Sequence, residues 1–510
     1  MRSKSLMIQG TASSSGKSLI AAALCRIFRQ DGYRVAPFKA QNMSNNSFVT
    51  RDGLEMGRAQ VVQAYAAGLE PDVRMNPVLL KPSSDTGSQV VLKGKPAFTM
   101  KARQWHETRD KLRCTIRDCY ESLAAEYDLI VIEGAGSPAE INLKKNDIVN
   151  MGMAEMADAP VLLVGDIDRG GVFASLVGTM ELLENQEKAR VKAFVINKFR
   201  GDVGLLKPGL EQLEKICGVP VLGVVSWVHH AIDEEDGVTE RFNRTSWPNT
   251  DIDICVIRLP RISNYTDFLP LEAIPGVRVR WCESSAAIGR PDLLILPGTK
   301  STIGDLQVLK KSGFADAILS YAQRGGAVLG ICGGFQMLGK EIHDPNHCES
   351  SCDKESGLGL LDMLTEFHTD KTTTQTQVTI SSAAAGLFAA LNGIQTTGFE
   401  IHMGKSDFGP DSQPFTVLSD ASGREAVIGI ASPSGSIAGT YLHGLFDSSI
   451  VATTLVNALR ERKGLAQLQD AVVERSVALN EDIDNLADVV RHSLDMDMLK
   501  RIVEGKHVAA

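Results

Sequence analysis

Ser5-Leu6-Met7-Ile8-Gln9-Gly10-Thr11-Ala12-Ser13-Ser14-Ser15-Gly16-Lys17-Ser18 opens the chain and decides how its first half folds. The apolar run ending at Gln9 reads as a short buried strand, and the residues from Lys17 to about Arg29 read as a helix. Between them lies a loop of glycine, serine and alanine. Small side chains let successive N–H groups surround a polyphosphate, and the helix N-terminus favours its negative charge. Gly10, Thr11, Ser15 and Gly16 line that cradle, Lys17 supplies a point charge, and the Ser18 hydroxyl can reach a Mg²⁺ ion. Five residues, not four, separate Gly10 from Gly16, a longer spacing than the commonest pattern.

Further strands follow at Tyr33–Phe38, Leu129–Ile132, Val161–Val164, Val191–Ile196 and Val219–Val225, with helical stretches at Met56–Ala67 and Leu112–Ala125. Strands that are apolar throughout, alternating with helices, predict a parallel sheet covered on both faces. Ligands of such sheets bind at the carboxyl ends of the strands. Glu133 stands at one such end, where an acid holds a metal ion or its water; Asp166 and Asp168 stand at another, equally readable as helix caps. Asn197-Lys198 follows the next strand, where phosphate-loop proteins often read the nucleotide base. Gly134-Ala135-Gly136-Ser137-Pro138-Ala139 matches a dinucleotide fingerprint in letters only. It follows a late strand, and Glu133 and Pro138 do not suit a pyrophosphate, so NAD is rejected.

The alternation breaks between Ala231 and Asn249, where Asp233-Glu234-Glu235-Asp236-Gly237 and Ser246-Trp247-Pro248-Asn249 are polar and turn-rich. This places a first domain at 1–232, a linker at 233–250, a second domain at 251–448 and a C-terminal helical segment at 449–510. The second domain repeats the α/β pattern with strands at Ile252–Ile257, Val277–Trp281, Leu293–Leu296 and Ala327–Gly330, then more antiparallel ones at Gln375–Ile380 and Ser436–Leu442. The charge-rich stretches Ile450–Lys463 and Val472–Val503 read as helices forming a cap. The fold class is therefore α/β, with two parallel-sheet domains and a C-terminal helical cap.

In the second domain, Val328-Leu329-Gly330-Ile331-Cys332-Gly333-Gly334-Phe335-Gln336-Met337 runs from strand into helix through a cysteine among three glycines. That is the pattern of a nucleophile elbow with sulfur in place of oxygen, and a helix N-terminus lowers a thiol pKa. Taken alone it is equally a buried structural cysteine at a tight turn. Two companions favour the nucleophile. Pro297-Gly298-Thr299 can offer backbone N–H groups to an oxyanion together with Gly333. In Gly439-Thr440-Tyr441-Leu442-His443-Gly444, His443 ends a strand and can exchange a proton with the thiol; His402 is a competing candidate. His343, His347, Cys348 and Cys352 have spacings that could reach a zinc ion, but they sit in a polar turn-rich stretch unlike any recognised zinc module.

Composition limits the partners. The chain has 510 residues, a formal net charge of -9, 43% hydrophobic and 23% charged residues, so it can bury real cores and offers no basic surface for nucleic acid. No stretch approaches a membrane-spanning length and Met1–Gln9 lacks a signal-peptide core. Nine scattered cysteines are not a disulfide framework, so a reduced, cytoplasmic setting is expected.

The Gly10–Ser18 loop, with its longer spacing, resembles that of dethiobiotin synthetase, while the elbow, Pro297-Gly298-Thr299 and Tyr441-Leu442-His443-Gly444 resemble a class I glutamine amidotransferase domain. The two together look like the cobyric acid synthase and cobyrinic acid a,c-diamide synthase group. Phe38-Lys39-Ala40-Gln41-Asn42-Met43-Ser44-Asn45-Asn46, Gly57-Arg58-Ala59-Gln60, Met75-Asn76-Pro77-Val78-Leu79-Leu80-Lys81-Pro82 and Asp166-Ile167-Asp168-Arg169-Gly170-Gly171-Val172-Phe173 are similar to segments of the cobyric acid synthase branch. The resemblance implies ATP with Mg²⁺ at the first site, with Ser18 and Glu133 toward the metal, and glutamine hydrolysis at the second. Cys332 is then the nucleophile, His443 the base, Gly298 and Gly333 the oxyanion hole and Gln336 a glutamine contact. It also implies a corrinoid substrate amidated at its b, d, e and g carboxylates, with Gln41, Asn42 and Asp147 on the substrate side. The a,c-diamide synthase and a non-catalytic ATPase switch are the rival readings. Many class I amidotransferases carry a Glu two residues after the histidine; here that position is Leu445, so the third triad member is absent or comes from elsewhere.

Overall fold

The computed structural model describes residues 3–83, 87–101, 105–228, 232, 250–381, 386–419, 425–469 and 473–506. The two polar runs that predicted the linker lie outside these residues. The first half is built on a six-stranded sheet with the order Val221–Ser226, Val191–Phe199, Val161–Asp166, Lys4–Gly10, Leu129–Glu133, Val35–Phe38. All of its neighbours pair in parallel. Side chains of a strand alternate between faces, and the core divides accordingly. Leu6, Ile8, Val131 and Val164 pack with Ile20, Leu24 and Phe28 of the Lys17–Gln30 helix. Met7, Ile130, Ile132 and Leu163 pack on the other face with Met151 and Leu176.

Between the Val35–Phe38 strand and the helix Trp105–Glu126 the chain builds an insertion. It comprises a sheet of Gln41–Met43, Val78–Pro82, Gly87–Leu92 and Lys95–Lys101, the hairpin Ser47–Val49 with Glu55–Gly57, and the helix Arg58–Ala67. The helix read from Met56 starts later because Glu55–Gly57 is spent on that hairpin.

The second half holds an eleven-stranded sheet. Val277–Cys282, Ile252–Ile257, Leu293–Leu296, Val328–Ile331 and Ile437–Thr440 are neighbours in that order and pair in parallel. Antiparallel strands continue it, including the long pair Met363–Ile380 and Gln395–Phe408. Ile437–Thr440, expected as antiparallel, is both: parallel to the elbow strand and antiparallel to Glu425–Ala431.

The stretch read as one C-terminal cap divides between the halves. Val451, Leu455 and Leu459 of the helix Ser449–Arg462 join the second core. Leu479, Ile483, Leu486 and Val490 of the helix Arg475–Ser493 join the first, and Arg26 pairs with Asp484 at 3.0 Å. Each buried side chain of this size contributes about 1.5–3 kcal/mol, so the helix face belongs to the first domain energetically as well as in space.

Candidate active sites

The first site gathers at the carboxyl edge of the parallel sheet. Lys17 Nζ lies 2.8, 3.0 and 3.0 Å from the carbonyls of Ala12, Ser13 and Gly136. The Gly134–Ala139 turn that mimicked a dinucleotide fingerprint thus closes one side of the phosphate loop. Gly16 has φ 95°, and a Cβ there would stand 2.0 Å from Asn197 Nδ2. Only glycine fits that position. Asn197 in turn donates to the Ser15 carbonyl at 2.9 Å, which ties the Val191–Phe199 strand to the loop.

Glu133 is the centre of the site. Its Oε1 accepts from Ser18 Oγ at 2.7 Å and from Lys39 Nζ at 2.9 Å; its Oε2 accepts from Gln63 at 2.6 Å and Gln60 at 3.3 Å. Burial opposes its charge, yet the Lys39 ammonium and the hydrogen bonds from Gln63 and Ser18 hold its pKa below the ordinary carboxylate value. Lys39, Gln60 and Gln63 were not singled out in the sequence as partners of Glu133; the two glutamines sit at positions i and i+3 of one helix, which puts both on one face. The Ser18 hydroxyl and the Glu133 carboxylate are hard oxygen donors of the kind Mg²⁺ accepts alongside substrate phosphates. Asp166 pairs with Lys198 at 2.9 Å and Asp168 with Arg200 at 3.1 Å. Asn42 donates to Gln60 Oε1 at 2.7 Å, while Asn42 Oδ1 and Gln41 Oε1 are buried without a hydrogen-bond partner. The Asp147 carboxylate accepts from the N–H groups of Val149, Asn150 and Gly152 and shapes the loop after the Glu133 strand.

At the second site Cys332 has φ 50° and ψ -108° between the Val328–Ile331 strand and the Gly333–Leu338 helix. A non-glycine residue with positive φ at such a junction stores strain, here where the sulfur leaves the sheet. A Cβ on Gly334 would stand 2.0 Å from the Leu296 carbonyl, so the elbow helix can only approach the neighbouring strand with glycine there. The Pro297-Gly298-Thr299 turn lies against this elbow: the Gly333 Cβ direction points to Thr299 N at 3.1 Å, and that of Gly298 to His443 Cε1 at 3.0 Å. The first N–H groups of the elbow helix have no acceptor within the helix, as an oxyanion hole requires.

His443 is 1% exposed and its Nδ1 lies 2.7 Å from Asp267 Oδ2. Asp267 Oδ1 accepts from Gly444 N at 3.0 Å. Asp267 stands where a third triad member would, a place that Leu445 does not fill. It is 176 residues away in the chain, on the turn Tyr265–Phe268, so no local spacing could reveal it. Burial works against a charge on His443, but the Asp267 carboxylate and then Cys332, with which it also hydrogen-bonds, raise its pKa to about 10.

Both ring nitrogens of His402, the competing candidate, have other partners. It stacks on Tyr441 at 3.8 Å and binds the Gly404 carbonyl and Glu400. Gln336 is spanned by Thr302 at 3.1 Å and Tyr441 at 3.2 Å. Among the described residues no three His, Cys, Asp or Glu side chains cluster as a metal site. The His343–Cys352 loop is gathered on the buried Asp344, which accepts from the N–H groups of Cys348, Glu349 and Ser350. It carries Glu349 to the N-terminus of the Thr302–Lys311 helix, 3.0 Å from Ile303 N.

Residues 6–237 match the model of the CobQ/CobB/MinD/ParA nucleotide binding domain, and residues 253–451 that of the CobB/CobQ-like glutamine amidotransferase domain. The chain is 51% identical over 501 residues to a cobyric acid synthase of Thermoanaerobacter sp., with 98% of each chain covered. It is 52% identical over 503 residues to that of Yersinia enterocolitica, again with 98% of each covered. To that of Alkaliphilus metalliredigens it is 48% identical over 502 residues, covering 98% of this chain and 100% of the relative.

Proposed function

Because the chain belongs to the cobyric acid synthase family, whose members are glutamine amidotransferase ligases, we propose that its two sites make and consume ammonia to amidate a corrinoid. The observation that carries the reading is the pairing, in one chain, of a buried Cys332–His443–Asp267 constellation with a phosphate loop backed by Glu133.

Cys332 attacks the side-chain amide carbon of glutamine with its thiol proton already passed to His443, whose raised pKa favours the imidazolium. Backbone N–H groups of the Gly298 turn and of Gly333 hold the negative oxygen. His443 then gives the proton to the departing nitrogen, and ammonia leaves a thioester on Cys332. Water, deprotonated by His443, cleaves the thioester to glutamate and restores the thiol. Asp267 fixes which imidazole nitrogen faces the sulfur and stabilises the imidazolium.

At the first site a ring carboxylate attacks the γ-phosphorus of ATP, giving an acyl phosphate and ADP. Ammonia displaces phosphate from the acyl carbon and leaves the amide, one N–H proton passing to the released phosphate. A free carboxylate is a poor electrophile, and this activation is why ATP is needed. The loop N–H groups and Lys17 hold the phosphates. Ser18 and Glu133 would hold Mg²⁺, which neutralises charge on the transferring phosphate. Lys39, Gln60 and Gln63 keep the Glu133 carboxylate ionised and aimed.

The corrinoid we propose is adenosylcobyrinic acid a,c-diamide, amidated at b, d, e and g, with Gln41, Asn42 and Asp147 on its side of the nucleotide. The buried, unpartnered Gln41 Oε1 and Asn42 Oδ1 support this, since a bound amide product could satisfy them. No helix among the described residues is long and apolar enough to cross a membrane, which is consistent with a cytoplasmic setting.

Mass spectrometry of the product tests the reading. Four added amides support it, and two would favour the a,c-diamide synthase. In C332A, glutamine should no longer support amidation while ammonium does; unchanged turnover with glutamine would remove Cys332 from the mechanism.

A further inference from the structure

Two segments of the first half, a hairpin and the end of a nearby strand, together reach all three parts of the glutamine site. The Ser47–Val49 and Glu55–Gly57 hairpin packs against the second half of the chain. Ser47 N donates to Asn264 Oδ1 at 2.9 Å. Asn264, at φ 50°, starts the Tyr265–Phe268 turn, and its carbonyl accepts from Asp267 N at 3.0 Å. The carboxylate that orients His443 therefore hangs on a turn pinned from the other domain.

Phe48 makes the second contact. Its ring meets Phe399 edge-on with centroids 5.5 Å apart, and Phe399 lies flat on the His443 imidazole at 5.3 Å and 18°. Phe399 and His443 also exchange main-chain hydrogen bonds of 3.1 and 2.9 Å. Val49 is buried with Phe399 and Ile401, and the Ile401 carbonyl faces the Cys332 sulfur at 3.8 Å. The third contact comes from Ser83, just beyond the Val78–Pro82 strand. The Ser83 carbonyl accepts from Arg261 Nε at 3.1 Å, and the Arg261 carbonyl accepts from Thr299 Oγ1 and Lys300 N, both at 2.9 Å, on the turn that carries Gly298. Glu55 locks the joint: it bridges Lys81 of its own half and Lys371 of the other at 2.5 Å each.

The opposite end of the hairpin segment is the ATP site. Asn46 accepts through its carbonyl from Arg58 N at 3.1 Å, and Arg58 opens the helix whose Gln60 and Gln63 hold Glu133. Histidine, carboxylate and oxyanion turn thus each have a support in the domain that uses the ammonia.

Resting on the two-site reading above, we infer that Ser47 and Phe48 are positioning residues of the glutaminase, supplied by the synthetase half, acting on His443 through Asn264–Asp267 and through Phe399. A histidine side chain has two torsions to fix, about Cα–Cβ and about Cβ–Cγ. Asp267, bonded to Nδ1, and Phe399, stacked on the ring face, together hold them. Each is set in turn by a group of the hairpin, so glutamine is cleaved at full rate only with the synthetase half seated.

The test uses the full-length chain with F48A, N264G and N264D. N264G keeps the positive-φ turn and removes only the acceptor of Ser47 N; N264D restores it. Two rates are measured: glutamate release from glutamine, and ATP-dependent corrinoid amidation with ammonium as nitrogen donor. F48A and N264G are expected to lower kcat for glutamate release about tenfold or more with little change in KM, the signature of a misplaced catalytic group. Ammonium-supported amidation should fall by no more than about twofold, and N264D should recover glutamate release. F48L, which keeps apolar bulk against Phe399, replaces F48A if that variant does not fold. Equal loss of both rates would mean that these residues only hold the domains together, and unchanged glutamate release would mean that the hairpin does not position His443; either result overturns the inference. A wild-type chain that forms no amide from either donor would instead refute the proposed ligase, while glutamate release would still read the positioning.

Discussion

Replacing Asp267 by Asn tests the constellation that the structure adds to the cysteine and histidine. The carboxylate accepts two buried hydrogen bonds, from His443 Nδ1 at 2.7 Å and from Gly444 N at 3.0 Å. An asparagine has one acceptor oxygen and one NH₂ group, so it cannot serve both donors. If its oxygen turns to Gly444, its NH₂ faces Nδ1 and enforces the tautomer with Nε2 protonated, which cannot take the thiol proton. If its oxygen turns to His443, the Gly444 N–H is left facing a donor. A charge-assisted hydrogen bond contributes about 1.5–3 kcal/mol, which is about 10- to 150-fold in rate at about 1.4 kcal/mol per decade. The wrong tautomer adds to this, and loss of the orienting acid in another triad costs about 10⁴-fold. Glutamate release by D267N is therefore expected to fall by about 10²-fold or more, with ammonium-supported amidation retained. A pH series carries the sign. His443 has its pKa raised to about 10 in the fold, against about 6.5 unfolded. Its stabilisation is complete below the unfolded value and is lost as pH rises toward the folded one. The wild-type thermal midpoint should drop across that window, and D267N should flatten the drop. Glutamate release within about threefold of wild type, with an unaltered pH dependence of stability, would refute the assignment of Asp267 as the orienting acid.

The ATP site and the domain joint yield further expectations. K39M removes the cation that pairs with the wholly buried Glu133 at 2.9 Å; breaking such a pair costs about 3–5 kcal/mol. Amidation from both glutamine and ammonium should be lost, whereas glutamate release persists. G16A puts a side chain at φ 95° and 2.0 Å from Asn197 Nδ2, so ATP affinity measured by titration should fall about tenfold or more, in line with a strain of about 1–3 kcal/mol. E55Q leaves the buried Lys81 and the partly buried Lys371 beside a neutral group, and urea unfolding should report a loss of about 3–5 kcal/mol. Burial opposes the charge of Glu55, but Lys371 and Lys81 depress its pKa well below the ordinary carboxylate value. Its contribution is thus present above the unfolded carboxylate pKa and is lost as pH falls, a limb of acid unfolding that E55Q should lack.

Read by itself, the sequence determined the local chemistry. A strand, a small-residue loop and Gly16-Lys17-Ser18 can be recognised from 14 consecutive residues, Ser5 to Ser18, because a phosphate cradle is made from one continuous stretch of backbone. The same holds for Cys332 in its elbow, and for Glu133 at the end of its strand, since strand ends on one edge of a parallel sheet converge whatever lies between them. The tertiary structure decided what depends on groups far apart in the chain. Asp267 reaches His443 across 176 residues, and Lys39 reaches Glu133 across 94. Neither pairing has a spacing to read, because hydrogen-bond geometry is set by where two separate turns dock and not by any periodicity. The C-terminal helices show the same division: their apolar faces are plain in the sequence, but one face fits the second core and the other the first. The hairpin around Phe48 is the strongest instance. Ser47 and Phe48 fall between two of the segments that carry the family resemblance, Phe38–Asn46 and Gly57–Gln60, and the contact of Phe48 with the histidine's neighbour exists only once both domains are folded against each other.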